Sequence, residues 1–116
     1  MQTSFTDMFD FKNIYNQDDF LNNNPRQACL SIITTPREVF ELNEKWMFSK
    51  QVMFEDTDSV EHPRALSYEM ARDIVEFLMS VHEADVETLT VHCFAGVSRS
   101  RAVVLFFEEV LKGNTI

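Results

Sequence analysis

Apolar residues recur along this chain in two spacings. Ala28 to Ile33 (Ala-Cys-Leu-Ser-Ile-Ile) and Thr88 to Val91 (Thr-Leu-Thr-Val) are short, mostly apolar runs of strand length. Such runs mark strands buried on both faces of a parallel sheet. Lys50 to Phe54, with Val52, Met53 and Phe54, is a third strand candidate. Helical spacing takes over at Met70, Ile74, Phe77, Leu78 and Val81, the core face of a long amphipathic helix capped by Ser67. Ala102 to Leu111 is a second helical run, with Gly113 placed as its C′ residue. Thr35-Pro36-Arg37-Glu38 is a helix start, with Thr35 as N-cap, Pro36 at the first position and Glu38 closing a capping box. That helix is expected to run to about Asn43, with Trp46 partly buried beyond it.

The N-terminal pattern is weaker. Residues 1 to 8 are polar with scattered apolar side chains and read as frayed. Phe9 and Phe11 alternate as on a strand face. Asp18 to Asn23 reads as a short helix around Phe20 and Leu21, ended by the turn residues Asn22 to Pro25. Glu55 to Leu66 is acidic and aperiodic and reads as an exposed loop. Strands alternating with helices predict an α/β fold: a mostly parallel central sheet with helices on both faces, in a single domain spanning 1–116.

Composition narrows the partners. A net charge of −9 argues against nucleic acid or an anionic membrane as the main partner. No apolar stretch is long enough to span a bilayer, and no apolar segment follows a basic start. Cys29 and Cys93 do not make a disulfide framework, and no Cys/His spacing fits a zinc site. The expected location is the cytoplasm, where a thiol stays reduced. Cys29 lies in a core-like strand and reads as packing, and His62 and His82 read as surface residues.

The chemistry concentrates in His92-Cys93-Phe94-Ala95-Gly96-Val97-Ser98-Arg99-Ser100, between the Thr88–Val91 strand and the Ala102–Leu111 helix. A loop that runs from a strand into a helix start is an anion site. Backbone N–H groups point into it, and the helix dipole adds partial positive charge. A cysteine facing such a site has its pKa depressed to roughly 3.5–7.5 from about 8.5, and the thiolate is the nucleophilic form. Arg99 can grip two oxygens of a phosphate-like group with its planar fork. The bland reading, a small buried thiol before a helix, does not account for a glycine, an arginine and two serines gathered at the same turn.

Cys93 and Arg99, separated by five residues, resemble the phosphate loop of the cysteine-dependent protein tyrosine phosphatases. His92, Ala95, Gly96, Ser98 and Ser100 are most similar to the dual-specificity subgroup. The resemblance is specific at the loop and diffuse from about Ala28 onward. Arg101 departs from it, standing where relatives often carry a small residue or proline. Relatives usually continue with further helices, so this version is minimal or its end lies beyond the sequence.

The resemblance implies the tyrosine-phosphatase architecture and a metal-free, cofactor-free hydrolysis of phosphotyrosine, with phosphoserine and phosphothreonine as further substrates, on a protein or peptide. Cys93 would be the nucleophile. Arg99 and the backbone of Phe94, Ala95, Gly96, Val97 and Ser98 would hold the phosphate. Ser100 would steady the thiolate as leaving group, and His92 would help to set the loop and the thiolate pKa. The general acid would come from the Glu55–Leu66 loop. Asp56 is the first candidate, because apolar-x-Asp at a strand end resembles the family's acid loop. Asp58 is the second, and Glu55 is expected to point to the other side of the extended segment.

The apolar loop residues Phe94 and Val97 rank lipid-phosphate and RNA-triphosphate substrates lower. The competing class is a phospho-residue binding module that keeps Arg99 and the cradle but lacks turnover. A sulfur transferase would not call for Arg99 and Ser100 at this spacing. An arsenate-reductase-like path would need a resolving cysteine, for which Cys29 is the only candidate.

Overall fold

The computed structural model describes residues 1–56, 64–96 and 98–111. The expected features at Val97, Asp58, His62 and Gly113 lie outside these residues. Four strands, β1 (Gln2–Thr6), β2 (Gln27–Ile33), β3 (Phe48–Met53) and β4 (Thr88–His92), form one sheet in the order β1-β4-β2-β3. Every pairing is parallel, so the carboxyl ends of all four strands lie along one edge. The α/β class with a parallel sheet therefore holds.

The alternation of side chains along β2 and β4 separates two cores. On one face Ala28, Leu30, Ile32, Leu89, Val91 and Cys93 pack with Val52 and Phe54. Helix α3 (Tyr68–Glu83) covers them with Ile74, Leu78 and Val81, and Val104 and Phe107 come from α4 (Arg99–Phe106) and the π-helical turn Phe107–Leu111 that follows it. On the other face Cys29 packs with Phe11, Leu21 and Trp46, edged by Tyr15, Phe20, Phe40 and Leu42. The expectation of cover on both faces is met, although the second face is covered by short helical pieces and a loop. They are α1 (Met8–Asp10), the π-helical turn Phe11–Tyr15, α2 (Asp18–Asn23) and the 39–46 segment. No helix among the described residues is long and apolar enough to cross a membrane.

Three local expectations are corrected. The start of the chain is not frayed, because Gln2–Thr6 is an edge strand paired along its length to β4. It has a single neighbour, so it needs no continuous apolar run, and polar contacts hold it instead. Ser4 Oγ lies 3.2 Å from Thr90 Oγ1, and Thr3 Oγ1 donates to Glu108 Oε1 at 2.6 Å. Phe9 and Phe11 do not alternate on a strand. Asp7 caps a helical turn there, its Oδ1 accepting from Asp10 N at 2.7 Å. Met8 and Phe11 share the buried side of that turn, while Phe9 is 73% exposed.

The segment after Pro36 is the third. Its capping box forms, but only the 3-10 turn Pro36–Glu38 follows, and Val39, at φ −57° and ψ 131°, has already left the helical region. Phe40 and Leu42 both pack inward while Val39 and Glu41 are exposed, a two-residue period that a helix cannot deliver. Asn16 holds the segment down. Its Oδ1 accepts from Asn43 N and Trp46 Nε1 at 2.8 Å each, and its Nδ2 donates to Glu41 O at 3.0 Å. Trp46 is accordingly fully in the core, more deeply than the expected partial burial.

The α3 start matches its reading. Ser67 has extended backbone and its Oγ accepts from Met70 N at 3.1 Å. Ser67→Ala should cost about 1 kcal/mol and Ser67→Asp should restore most of it. Urea midpoints with an unchanged slope are the measurement, and an Ala variant as stable as wild type would show that the cap contributes nothing.

Candidate functional site

The site lies where β4 ends and α4 begins. The parity that sends Leu89 and Val91 into the α3–α4 core sends Cys93 there too, 2% exposed. Its Sγ lies 3.3 Å from the hydroxyl of Ser100, itself fully buried in the first turn of α4. Arg99 opens that helix and is held by the ends of two other strands. Its Nη1 donates to Thr34 Oγ1 at 2.9 Å, just past β2, and to the Phe54 carbonyl at 2.6 Å, just past β3. Phe54 also places its ring 5.9 Å from the guanidinium carbon, within cation–π reach.

Two contacts set the loop backbone. The Phe94 carbonyl accepts from Met8 N at 3.1 Å, and the Cys93 carbonyl lies 3.3 Å from His92 Nδ1. A trans peptide is planar with its N–H opposite its C=O. With these two carbonyls engaged on the scaffold side, the N–H groups of Phe94 and Ala95 point away from it. Gly96 has φ +72°, and a Cβ built there would stand 2.5 Å from Asp7 N and 2.8 Å from Thr6 O. Only glycine fits, because the loop rests directly on the backbone at the end of β1.

His92 occupies the opposite sheet face from Cys93 and is fully buried. Phe11 stacks on its ring at 4.3 Å and Phe40 lies at 5.7 Å. Its Nε2 is 2.6 Å from Ser31 Oγ. Burial lowers its pKa to about 4, with Lys12 and Arg99 adding to the effect and the Cys93 carbonyl and Asp7 opposing it. His92 is therefore neutral at physiological pH.

Phe54, Glu55, Asp56, Leu66, Ser98 and Arg99 line one end of a cleft of about 390 Å³ whose apolar walls come from α3 and α4. Asp56 is exposed and lines the cleft that Arg99 also lines. Glu55, expected on the other side of the segment from Asp56, lines the same cleft. Glu55 N–H donates to the Arg64 carbonyl and closes the base of the loop. Phe94, 64% exposed, faces a separate hollow with Ala95, Phe9 and Lys12.

Cys29 is fully buried, and burial drives its thiol pKa far above the usual range. It packs on the other side of the sheet from Cys93, so it cannot resolve an adduct there. His82 is exposed on α3, its ring edge-on to Phe107 at 5.9 Å. Among the described residues no group of three or more His, Cys, Asp or Glu side chains is disposed to hold a metal ion.

Sequence reasoning missed three contributors: Thr34, which anchors Arg99; Ser31, which meets His92; and the Thr6–Met8 corner under the loop. A Thr just past a strand end carries a weak signal. The others carry none, because they act through backbone or across strands.

Two outcomes follow. Gly96→Ala should destabilise the protein by about 1–3 kcal/mol or more, through left-handed backbone and the backbone clash together. A denaturation midpoint equal to wild type would mean that the loop does not rest on Thr6 and Asp7. The depressed pKa of His92 makes the unfolded chain bind the extra proton between pH 6.5 and about 4. Stability from this residue is therefore complete above pH 6.5, falls as pH drops through that window, and is lost below it, by up to about 3 kcal/mol. His92→Asn should remove that part of the acid slope, read as the wild-type minus variant difference in unfolding free energy across the window.

No protein-family model, curated protein or solved structure matches the chain, so the site rests on its own geometry.

Proposed function

We propose that the protein is a phosphoprotein phosphatase of the cysteine-dependent kind. It would hydrolyse phosphotyrosine, and phosphoserine or phosphothreonine as further substrates, on a protein or peptide in the cytoplasm. The observation that carries the reading is the pairing of Cys93 Sγ with Ser100 Oγ at 3.3 Å under the N-terminus of α4, with Arg99 at the same turn.

In this reaction the Cys93 thiolate attacks phosphorus and forms the S–P bond as the P–O bond to the leaving group breaks. Asp56 gives its proton to the departing oxygen. Water then attacks the cysteinyl-phosphate, giving its proton to Asp56, and inorganic phosphate leaves with the thiolate restored. Developing charge on the equatorial oxygens falls to the N–H groups of the loop, residues 94–99, and to the guanidinium of Arg99. Such preorganised donors act most strongly on the transition state. Nη1 of Arg99 is committed to Thr34 and Phe54, which fixes the plane of the fork. The Nη2–Nε edge is the one for a bidentate grip. Ser100 stabilises the thiolate as it forms and as it leaves. Support for Asp56 is its exposure in the cleft that Arg99 and Ser98 line.

Cys93→Ser should abolish turnover of an aryl phosphate, with or without a chelator, while phosphate binding and fold persist. Near-wild-type turnover in that variant would end the mechanism. A wild-type protein that binds phosphopeptide without turning it over would make it a phospho-residue binding module instead.

Asp56→Ala should slow a phosphotyrosine peptide by about 10²–10⁴-fold, the value of a general acid for a poor leaving group. It should slow an activated aryl ester little, and it should flatten the alkaline limb of the pH–rate profile. If Asp58→Ala behaves this way and Asp56→Ala does not, the acid is Asp58. The same pattern in Glu55→Ala would assign it to Glu55.

A further inference from the structure

We propose that Gln51 and Ser31 are positioning residues, links in a one-way hydrogen-bond chain that fixes the His92 proton on Nδ1 and so holds the Cys93 carbonyl out of the anion cradle. The cradle's catalytic meaning rests on the phosphatase reading above, but the chain itself does not.

Two backbone carbonyls fix the direction of the chain from its two ends. Gln51 Nε2 is 3.3 Å from the Phe40 carbonyl and 3.1 Å from Ser31 Oγ. A carbonyl only accepts, so the amide atom facing Phe40 must be the NH₂ group, and the same group then donates to Ser31. At the far end the Cys93 carbonyl also only accepts, so the His92 Nδ1 facing it at 3.3 Å must carry hydrogen. A neutral ring protonated on Nδ1 has a bare Nε2, which needs a donor. Ser31 Oγ, already accepting from Gln51, supplies its hydrogen across 2.6 Å. Each contact is then a hydrogen bond and no charge is buried.

The members sit on neighbouring strands by register. Ser31 pairs with His92 across β2–β4 and with Gln51 across β2–β3. Packing alone does not call for this. Phe11 and Phe40 already enclose the ring, and an apolar side chain would fill the space without burying polar atoms. What the polar chain adds is orientation. With its carbonyl turned to His92, the Cys93–Phe94 peptide presents its N–H on the other side, as a donor for the thiolate or phosphate. The charged groups acting on His92 are Lys12 and Arg99, which oppose its protonation, and Asp7, which favours it.

The test uses the whole chain and two readouts that need no turnover. One is the ¹⁵N ring spectrum of His92 against pH, assigned with His92→Asn. The other is the pH midpoint of Cys93 alkylation by iodoacetate. Wild type should show the Nδ1–H form at neutral pH. Ser31→Ala should mix the two neutral forms and raise the Cys93 midpoint by roughly half to one pH unit, as one hydrogen bond to the thiolate side weakens. Ser31→Thr, which keeps the hydroxyl, should restore both. Gln51→Glu can only accept from Ser31, so Nε2 must donate, and the His92 titration midpoint should rise by roughly one pH unit or more.

A wild-type ring protonated on Nε2 overturns the proposal. So do unmoved spectra and midpoints in Ser31→Ala and Gln51→Glu variants whose amide spectra show them folded. Aryl phosphate hydrolysis by wild type is measured alongside. Its absence with the expected shifts would remove the phosphatase reading alone, and its presence without them would remove the relay alone.

Discussion

The contact on which the site depends is between two stretches of backbone. Gly96 lies so close to Thr6 and Asp7 that no Cβ can come between them, and Met8 N holds the Phe94 carbonyl from the same corner. Loops at strand ends are ordinarily the mobile part of an α/β sheet. Here the loop is seated on the end of an edge strand, so the N–H groups of Phe94 and Ala95 are oriented before any ligand arrives. That is what an electrostatic site requires, since donors that must reorganise lose much of their value. The edge strand is thereby part of the site, although it contributes no side chain to the proposed chemistry.

A second constraint is the two-residue period of β4. Leu89, Val91 and Cys93 face the α3–α4 core, while Thr90 and His92 face the aromatic layer of Phe11, Phe40 and Trp46. One strand thus sends a thiol to one side of the sheet and the group that orients its carbonyl to the other. A one-residue shift of register would exchange the two. The apolar partners Leu89 and Val91 fix which way round they lie, because placing them on the polar, histidine-bearing face would cost both cores.

How much of this was legible follows from where each signal resides. The loop from His92 to Ser100 was readable because its chemistry is local: cysteine, glycine, arginine and serine at fixed spacing, between an apolar strand and a helix. The β2 and β4 strands and α3 were readable because they are buried and periodic. The Gln2–Thr6 strand was not, because its stability comes from backbone pairing to β4 and from Thr3 and Ser4 contacts with Glu108 and Thr90. No window of sequence contains those partners. The region after Pro36 misled for the opposite reason. Its capping box is genuine, but the burial of Phe40 and Leu42 on alternate positions outweighs a favourable start. At Met8 to Tyr15 the aromatic spacing fits a strand until Asp7 is recognised as a cap.

The all-parallel sheet then explains why one loop can collect so many supports. Strands of one polarity end on one edge, and each of the four strand ends reaches the site: Thr6 and Asp7 under Gly96, Thr34 and the Phe54 carbonyl on Arg99, and Cys93 itself. A fully antiparallel sheet of four strands would have turned two of those ends away. The arginine shows the consequence most clearly. A flexible guanidinium loses about 2 kcal/mol of rotamer entropy when it is fixed, and here β2 and β3 have fixed it in the folded protein, before any anion binds. Binding an anion then need not spend its own energy on ordering that side chain.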